Sequence, residues 1–300
     1  MRKTLITISG PTAVGKTKFS IELAQLLNCE IISCDSRQFY KEMSIGTGVP
    51  SVIELSTVKH HCVQHKSILD RYTINDFEIE SNEILNNQFK TNDFMIMVGG
   101  SGLYMDASIY GLDKFPEVDL GIRNDLNKQY TVKGIKFLQN KLKELDPQYY
   151  KKIDIYNSRR IIRALEVCIS SKKPYSSFLN KTKVNRPYKV FPIAINIERK
   201  DLYNLINKRV DQMLESGLLD EVKSLKKYMN LTALQTVGYK ELFDYLNSTN
   251  PLESYIEEIK KNTRRYSKRQ ITWLNKKNDL LWIDHSYNVK NIVSAYFDLK

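Results

Sequence analysis

Gly10-Pro11-Thr12-Ala13-Val14-Gly15-Lys16-Thr17 stands between a β-branched run over 5–9 and a stretch over 16–27 with helical apolar spacing at Phe19, Leu23, Leu26 and Leu27. The octapeptide fits GxxxxGK[ST] at every fixed position, and a strand before and a helix after are the context that pattern requires. Backbone amides of such a loop and of the helix N-terminus converge on one volume and make it positive. Lys16 adds a full charge, and the Thr17 hydroxyl is placed to ligate Mg²⁺. Gly10 to Thr17 are therefore the candidate phosphate-binding residues. The loop by itself leaves two chemistries open, because moving a phosphoryl group and stabilising a departing diphosphate both need neutralisation of growing negative charge.

Three further short apolar runs follow, over 30–34, 94–98 and 191–197. The first ends at Asp35 and the second enters Gly99-Gly100-Ser101-Gly102. Strands alternating with helical stretches indicate an α/β fold, a P-loop NTPase-like parallel sheet core flanked by helices. About ninety residues between the last two runs have helical spacing and little strand character. They predict a mainly helical insertion domain over 116–187, hinged near Pro116 and Pro187, in a core made of 1–115 and 188–300. Beyond the fourth strand the chain reads as helical almost to its end.

The 300 residues carry a net charge of +12, and the excess is local. Residues 151–189 hold 11 Lys/Arg against Asp154 and Glu166, and residues 257–277 hold 8 against Glu257 and Glu258, so the remainder is slightly acidic. Two basic windows over an acidic remainder are what a polyanion footprint requires. No apolar run approaches the ~20 residues of a membrane span. The basic-then-apolar N-terminus is too short for a signal peptide and runs into the phosphate loop. Four cysteines without CxxC spacing imply no disulfide framework. A soluble, cytoplasmic, monomeric protein without a membrane partner is expected.

Asp35 follows a strand directly, and residues just past strand C-termini line the ligand crevice of an open parallel sheet. Its carboxylate is thus a general base, a metal partner or a capping Asx-turn. Here the chain resembles the bacterial tRNA dimethylallyltransferases, also called tRNA isopentenyltransferases. The resemblance rests on the phosphate loop, Asp35-Ser36-Arg37-Gln38-Phe39-Tyr40, Ile45-Gly46-Thr47, His60-His61, Gly99–102 with Leu103-Tyr104, Arg159-Arg160-Ile161-Ile162-Arg163-Ala164-Leu165-Glu166, Gly238-Tyr239-Lys240-Glu241, and the run from Thr263 to Leu274, in that order. It spans nearly the whole chain.

The resemblance implies attack by the exocyclic amine of the tRNA adenosine 3′ of the anticodon on dimethylallyl diphosphate, with Mg²⁺ as cofactor. Asp35 would take the amine proton, and Lys16, the loop amides and Mg²⁺ at Thr17 would neutralise the leaving diphosphate. Ser101, where the family usually has threonine, keeps a hydroxyl for the diphosphate or the amine, which completes a catalytic set of Asp35, Lys16 and Ser101. Arg209 matches a family arginine assigned to the diphosphate. Gly48-Val49-Pro50 departs from the Ala-Lys-Pro of many relatives, so that lysine's contribution is missing or supplied elsewhere.

The partner implied is the anticodon stem-loop, whose target base must be flipped out of its stack. The expected RNA side comprises Asp35, Ser36, Arg37, Gln38 and Ser101 around the base, Arg123 by family match, and Arg159, Arg160, Ile161, Ile162 and Arg163. Arg159 and Arg163 share a helical face, with Ile161 and Ile162 facing elsewhere. Lys260, Arg264 and Lys268, beside Lys261, Arg265 and Arg269, form two rows that can follow an RNA backbone or line the way to the diphosphate. Tyr266, Trp273 and Leu274 read as core. His60, His61, Cys62 and His65 lack the spacing for a tetrahedral zinc site. Alternatives are a P-loop small-molecule kinase and an isopentenyltransferase acting on free adenine nucleotides, neither of which explains both basic windows.

Overall fold

A computed structural model describes residues 3–179 and 184–297, and the chain divides into two compact units, one joining 1–109 to 186–300 and the other covering 110–185. In the first, β1 (Thr4–Ser9), β2 (Ile31–Ser33), β3 (His60–His61), β4 (Phe94–Val98), β5 (Lys189–Asn196) and β6 (Leu281–Asp284) form one sheet in the order β3-β2-β4-β1-β5-β6. Every pairing is parallel, with Ile6 opposite both Ile96 and Phe191. A strand buried on both faces must be apolar throughout. Accordingly Leu5, Ile6 and Ile8 are fully buried, with Ile6 and Ile8 in one core and Leu5 in another.

Helices cover the sheet: α1 (Lys16–Leu27), α2 (Val52–Thr57), α3 (Ile74–Gln88) and α4 (Gly102–Tyr110) early in the chain. Phe19, Leu23 and Leu27 of α1 pack against Ile6 and Ile31, while Phe77 and Leu85 of α3 join Leu5 on the other face. Capping boxes start α2 at Ser51 and α3 at Thr73.

The second unit holds α5 (Leu120–Leu145), broken at Gly134 where φ is +70°, α6 (Pro147–Tyr150) and α7 (Ser158–Ser171). Leu126, Leu138 and Leu142 of α5 pack on Ile161, Ala164 and Leu165 of α7. The chain returns to the first unit at Arg186, beside Pro187.

After β5 come α8 (Arg199–Glu215), α9 (Leu218–Ser224), α10 (Tyr239–Tyr245), α11 (Leu252–Leu274) and, past β6, α12 (Val289–Tyr296). A separate core of Val210, Leu218, Val222, Tyr239 and Ile259 joins α8 to α11. The helical reading of this region therefore needs one correction, β6, whose apolar run is only the four residues Leu280 to Ile283 and whose burial alternates. Among the described residues no helix is long and apolar enough to cross a membrane.

Candidate active site

The sheet sets down two loops side by side, because β1 and β4 are parallel neighbours and both end at the same edge. From β1 the phosphate loop turns into α1 through two left-handed residues, Ala13 at φ +68° and Gly15 at φ +91°. Glycine meets the second without strain, whereas Ala13 holds its conformation at a cost of about 1 kcal/mol. Lys16 folds back over the loop, and its Nζ donates to the carbonyls of Gly10 (3.1 Å) and Pro11 (2.8 Å). Burial lowers its pKa to about 8, against an opposing pull from Asp35 and a further lowering from Arg209.

A cavity of about 410 Å³ opens here, lined by Thr12, Lys16, Thr17, Asp35, Arg209 and Gln270 among others. Gly10, Pro11 and Val14 lie beneath it, buried, while Ala13 and Gly15 line its rim. Asp35 reaches it from the end of β2, and one of its carboxylate oxygens also accepts from the Arg37 amide at 3.2 Å. The Asx-type turn and the pocket position thus coexist in one residue. Burial lowers the pKa of the Arg209 guanidinium, and Asp35 counteracts this. A Cβ on Gly48 would lie 1.9 Å from Nη2 of Arg209, so the guanidinium occupies the space that glycine leaves.

A second cavity of about 290 Å³ adjoins the first and shares Thr12, Asp35, Thr47, Arg209 and Tyr266 with it. Val210, Met213, Leu218 and Val237 make much of its wall apolar. Ser101, expected in the catalytic set, lines neither cavity; its Oγ accepts from the amide of Ser36, which lines the second, and shares a hydrogen bond with the Ser36 hydroxyl, both at 3.2 Å. Tyr266 also bonds Ser101, and burial pushes its hydroxyl up to about 12.

Two residues expected to read RNA are engaged internally. The Arg37 guanidinium donates to the carbonyls of Thr232 (3.1 Å) and Ala233 (2.9 Å). The Gln38 amide donates to Gly48 O at 2.9 Å and accepts from the Ser33 hydroxyl at 3.0 Å. In the second unit Arg159 and Arg160 are exposed, but Ile161 and Ile162 are buried and their side chains build the α5–α7 core. α7 turns the side chains of these apolar residues away from its arginines. Arg123 forms a two-pronged ion pair with Glu166, which is 1% exposed, and Arg163 approaches the same carboxylate at 3.4 Å while lying over the Phe115 ring.

The basic rows of α11 separate likewise. Lys260 pairs with Asp211 at 2.9 Å and Arg264 donates to Asn207 at 2.7 Å, so this row is partly consumed by α8. Leu274 is core as expected, whereas Tyr266 lines both cavities and is a site residue that the sequence reading missed. Gln270 was missed too. Its Oε1 accepts from the Thr12 amide at 2.8 Å, and its Nε2 donates to Gly100 O at 3.0 Å. Nothing in an amide side chain announces such a role; the available signal was that Tyr266 and Gln270, one turn apart, both lie in the run from Thr263 to Leu274 that carries the family resemblance. The histidines diverge, His60 to the Val58 carbonyl and His61 to Glu30, while His65 and Cys62 approach Glu80, which also holds Tyr72 and Lys66.

Residues 38–277 match the family model described as IPP transferase. The chain is 51% identical to the tRNA dimethylallyltransferase of Flavobacterium johnsoniae, over 97% of this chain and 96% of that one. The tRNA isopentenylpyrophosphate transferase of Bacillus halodurans superposes with a TM-score of 0.72 at 36% identity, covering 98% of this chain and 94% of that one. A eukaryotic dimethylallyltransferase solved acting on tRNA gives 0.80 at 26% identity, covering 98% and 76%. A family match over 38–277, with a relative 51% identical over 97% of the chain, means that the chain belongs to the IPP transferase family.

Proposed function

We propose that this protein transfers a dimethylallyl group from dimethylallyl diphosphate to the exocyclic N6 amine of the tRNA adenosine immediately 3′ of the anticodon, at tRNA position 37, and releases diphosphate. The observation that carries the reading is Asp35, whose carboxylate belongs to the walls of both the anion-binding cavity and its apolar neighbour. Diphosphate sits in the first and the prenyl group and acceptor nitrogen meet in the second. The amine's lone pair is delocalised into the adenine ring, so it attacks only if its proton is accepted as the new bond forms. Asp35 takes that proton while the C–N bond forms and the C–O bond to diphosphate breaks. The leaving oxygens are neutralised by Lys16, the loop amides and Arg209.

The oxygen donors at the cavity, Thr17 hydroxyl and Asp35 carboxylate, suit a hard divalent cation, and Mg²⁺ is the one that pairs with a diphosphate in such a set. When bound it adds charge against the leaving group. Arg159 and Arg160, exposed on α7, are among the exposed cations of the second unit, with lysines such as Lys151 and Lys152, and are the ones assigned here to RNA phosphates.

The test incubates the protein with Mg²⁺, labelled dimethylallyl diphosphate and unmodified tRNA. Label enters RNA when the anticodon-adjacent nucleotide is adenosine and not when it is guanosine. Asp35→Ala slows transfer by roughly 10²–10⁴-fold and leaves tRNA affinity within a few-fold of wild type. Metabolite-dependent ATP turnover without tRNA would replace this reading with a kinase, and labelling of free adenine nucleotides alone would replace the acceptor.

A further inference from the structure

Three residues on one face of α11 grip the loops of the site. Tyr266 bonds Ser101, Gln270 bonds Thr12 and Gly100, and the Trp273 ring covers Gly102, where a Cβ would lie 2.3 Å from it. Of the three, Gln270 alone touches both the phosphate loop and the Gly99–Ser101 loop. It is 7% exposed, and a Cβ on Gly100 would lie 2.1 Å from its Nε2, so the backbone at 100 is open to this amide only as glycine.

We infer that Gln270 is a positioning residue for the transfer reaction, a two-ended clamp that fixes the Thr12 peptide of the diphosphate cradle relative to the loop that presents Ser101. The inference rests on the transfer reading given above. An amide suits the task because it holds one acceptor and one donor in a plane, facing an N–H at one end and a C=O at the other. Thr12 belongs to the walls of both cavities, so a rotated Thr12 peptide displaces the cradle relative to the carboxylate of Asp35. Ordinary ionised carboxylates supply only acceptors, and an apolar side chain of equal length supplies neither group.

Two variants separate clamping from mere filling of space. Gln270→Met keeps length and bulk but leaves the Thr12 amide and the Gly100 carbonyl without their partner. It is expected to lower kcat by roughly 10- to 100-fold with tRNA KM unchanged, and to weaken binding of Mg²⁺-diphosphate about tenfold or more in calorimetry. Gln270→Glu sets a second acceptor against the Gly100 carbonyl when ionised, whereas its protonated carboxyl restores the donor. The ratio of its rate to the wild-type rate should therefore rise as pH falls, a profile that a residue needed only for packing would not produce. Wild-type kcat and diphosphate affinity in Gln270→Met, or a Glu-to-wild-type ratio flat with pH, would overturn the inference. The diphosphate titration needs no prenyl transfer, so a wild-type protein that binds diphosphate yet leaves tRNA unmodified overturns the transfer reading instead.

Discussion

Lys16 shows how a binding residue opposes the stability of its own fold. Burial lowers its pKa from 10.5 to about 8, so the charged form is disfavoured in the folded chain relative to the unfolded one. Between those two pH values the unfolded chain binds more protons, and stability therefore rises with pH through that window. At pH 7 the whole penalty is present. Lys16→Met should then raise the melting temperature at pH 7, by the equivalent of roughly 1–3 kcal/mol, while abolishing diphosphate binding. The wild-type protein should bind diphosphate less tightly above pH 8, by up to about tenfold per pH unit, with proton uptake measurable in buffers of different ionisation enthalpy. Lys16 and Asp35 were legible in the sequence because each is fixed by its offset from a strand end. Gln270 was not, since its partners lie 258 and 170 residues away and no local spacing encodes them.

At the level of elements, the strands found from sequence are those whose two faces are both buried. β3 is two histidines and offers no apolar run, while β6 has only the short run Leu280 to Ile283 and alternates between half-buried and exposed residues. The loop 44–48 was equally hidden. Its shape is set from α9, where the Glu221 carboxylate accepts from the amides of Ser44 (2.9 Å), Ile45 (2.8 Å) and Gly46 (3.1 Å) and from the Tyr239 hydroxyl (2.6 Å). Gly46 admits that ring, since a Cβ there would lie 2.5 Å from it. In Glu221→Gln one end of the side chain becomes a donor facing N–H groups. The variant should unfold at about 1–3 kcal/mol less stability in denaturant titration. Its affinity for diphosphate should fall as well, because Thr47 and Gly48 line the anion cavity.

For the whole molecule, net charge overstates what is available to a polyanion. The second unit spends Arg123 and Arg163 on one buried carboxylate, whereas Arg159 and Arg160 are exposed. The two kinds of arginine should part experimentally. Arg159→Ala and Arg160→Ala should each weaken tRNA binding and reduce the slope of log K against log salt by about 1, with little change in stability. Arg123→Ala strips the main partner from Glu166 and should destabilise the fold by roughly 3 kcal/mol. Filter binding across a salt series and thermal unfolding of the same variants distinguish them. Spacing put Arg159, Arg160 and Arg163 on one list and the family resemblance added Arg123, because charge is visible in a sequence and its consumption by a distant Glu is not.

The bond between Thr12 and Gln270 also has a consequence for biosynthesis. The phosphate loop leaves the ribosome 258 residues ahead of its brace. During that interval the loop is exposed to cellular anions without the helix that braces it. A chain that stops between Thr17 and Gln270 would carry the whole phosphate-loop signature without the brace, so such fragments should bind diphosphate more weakly than the full chain in calorimetry.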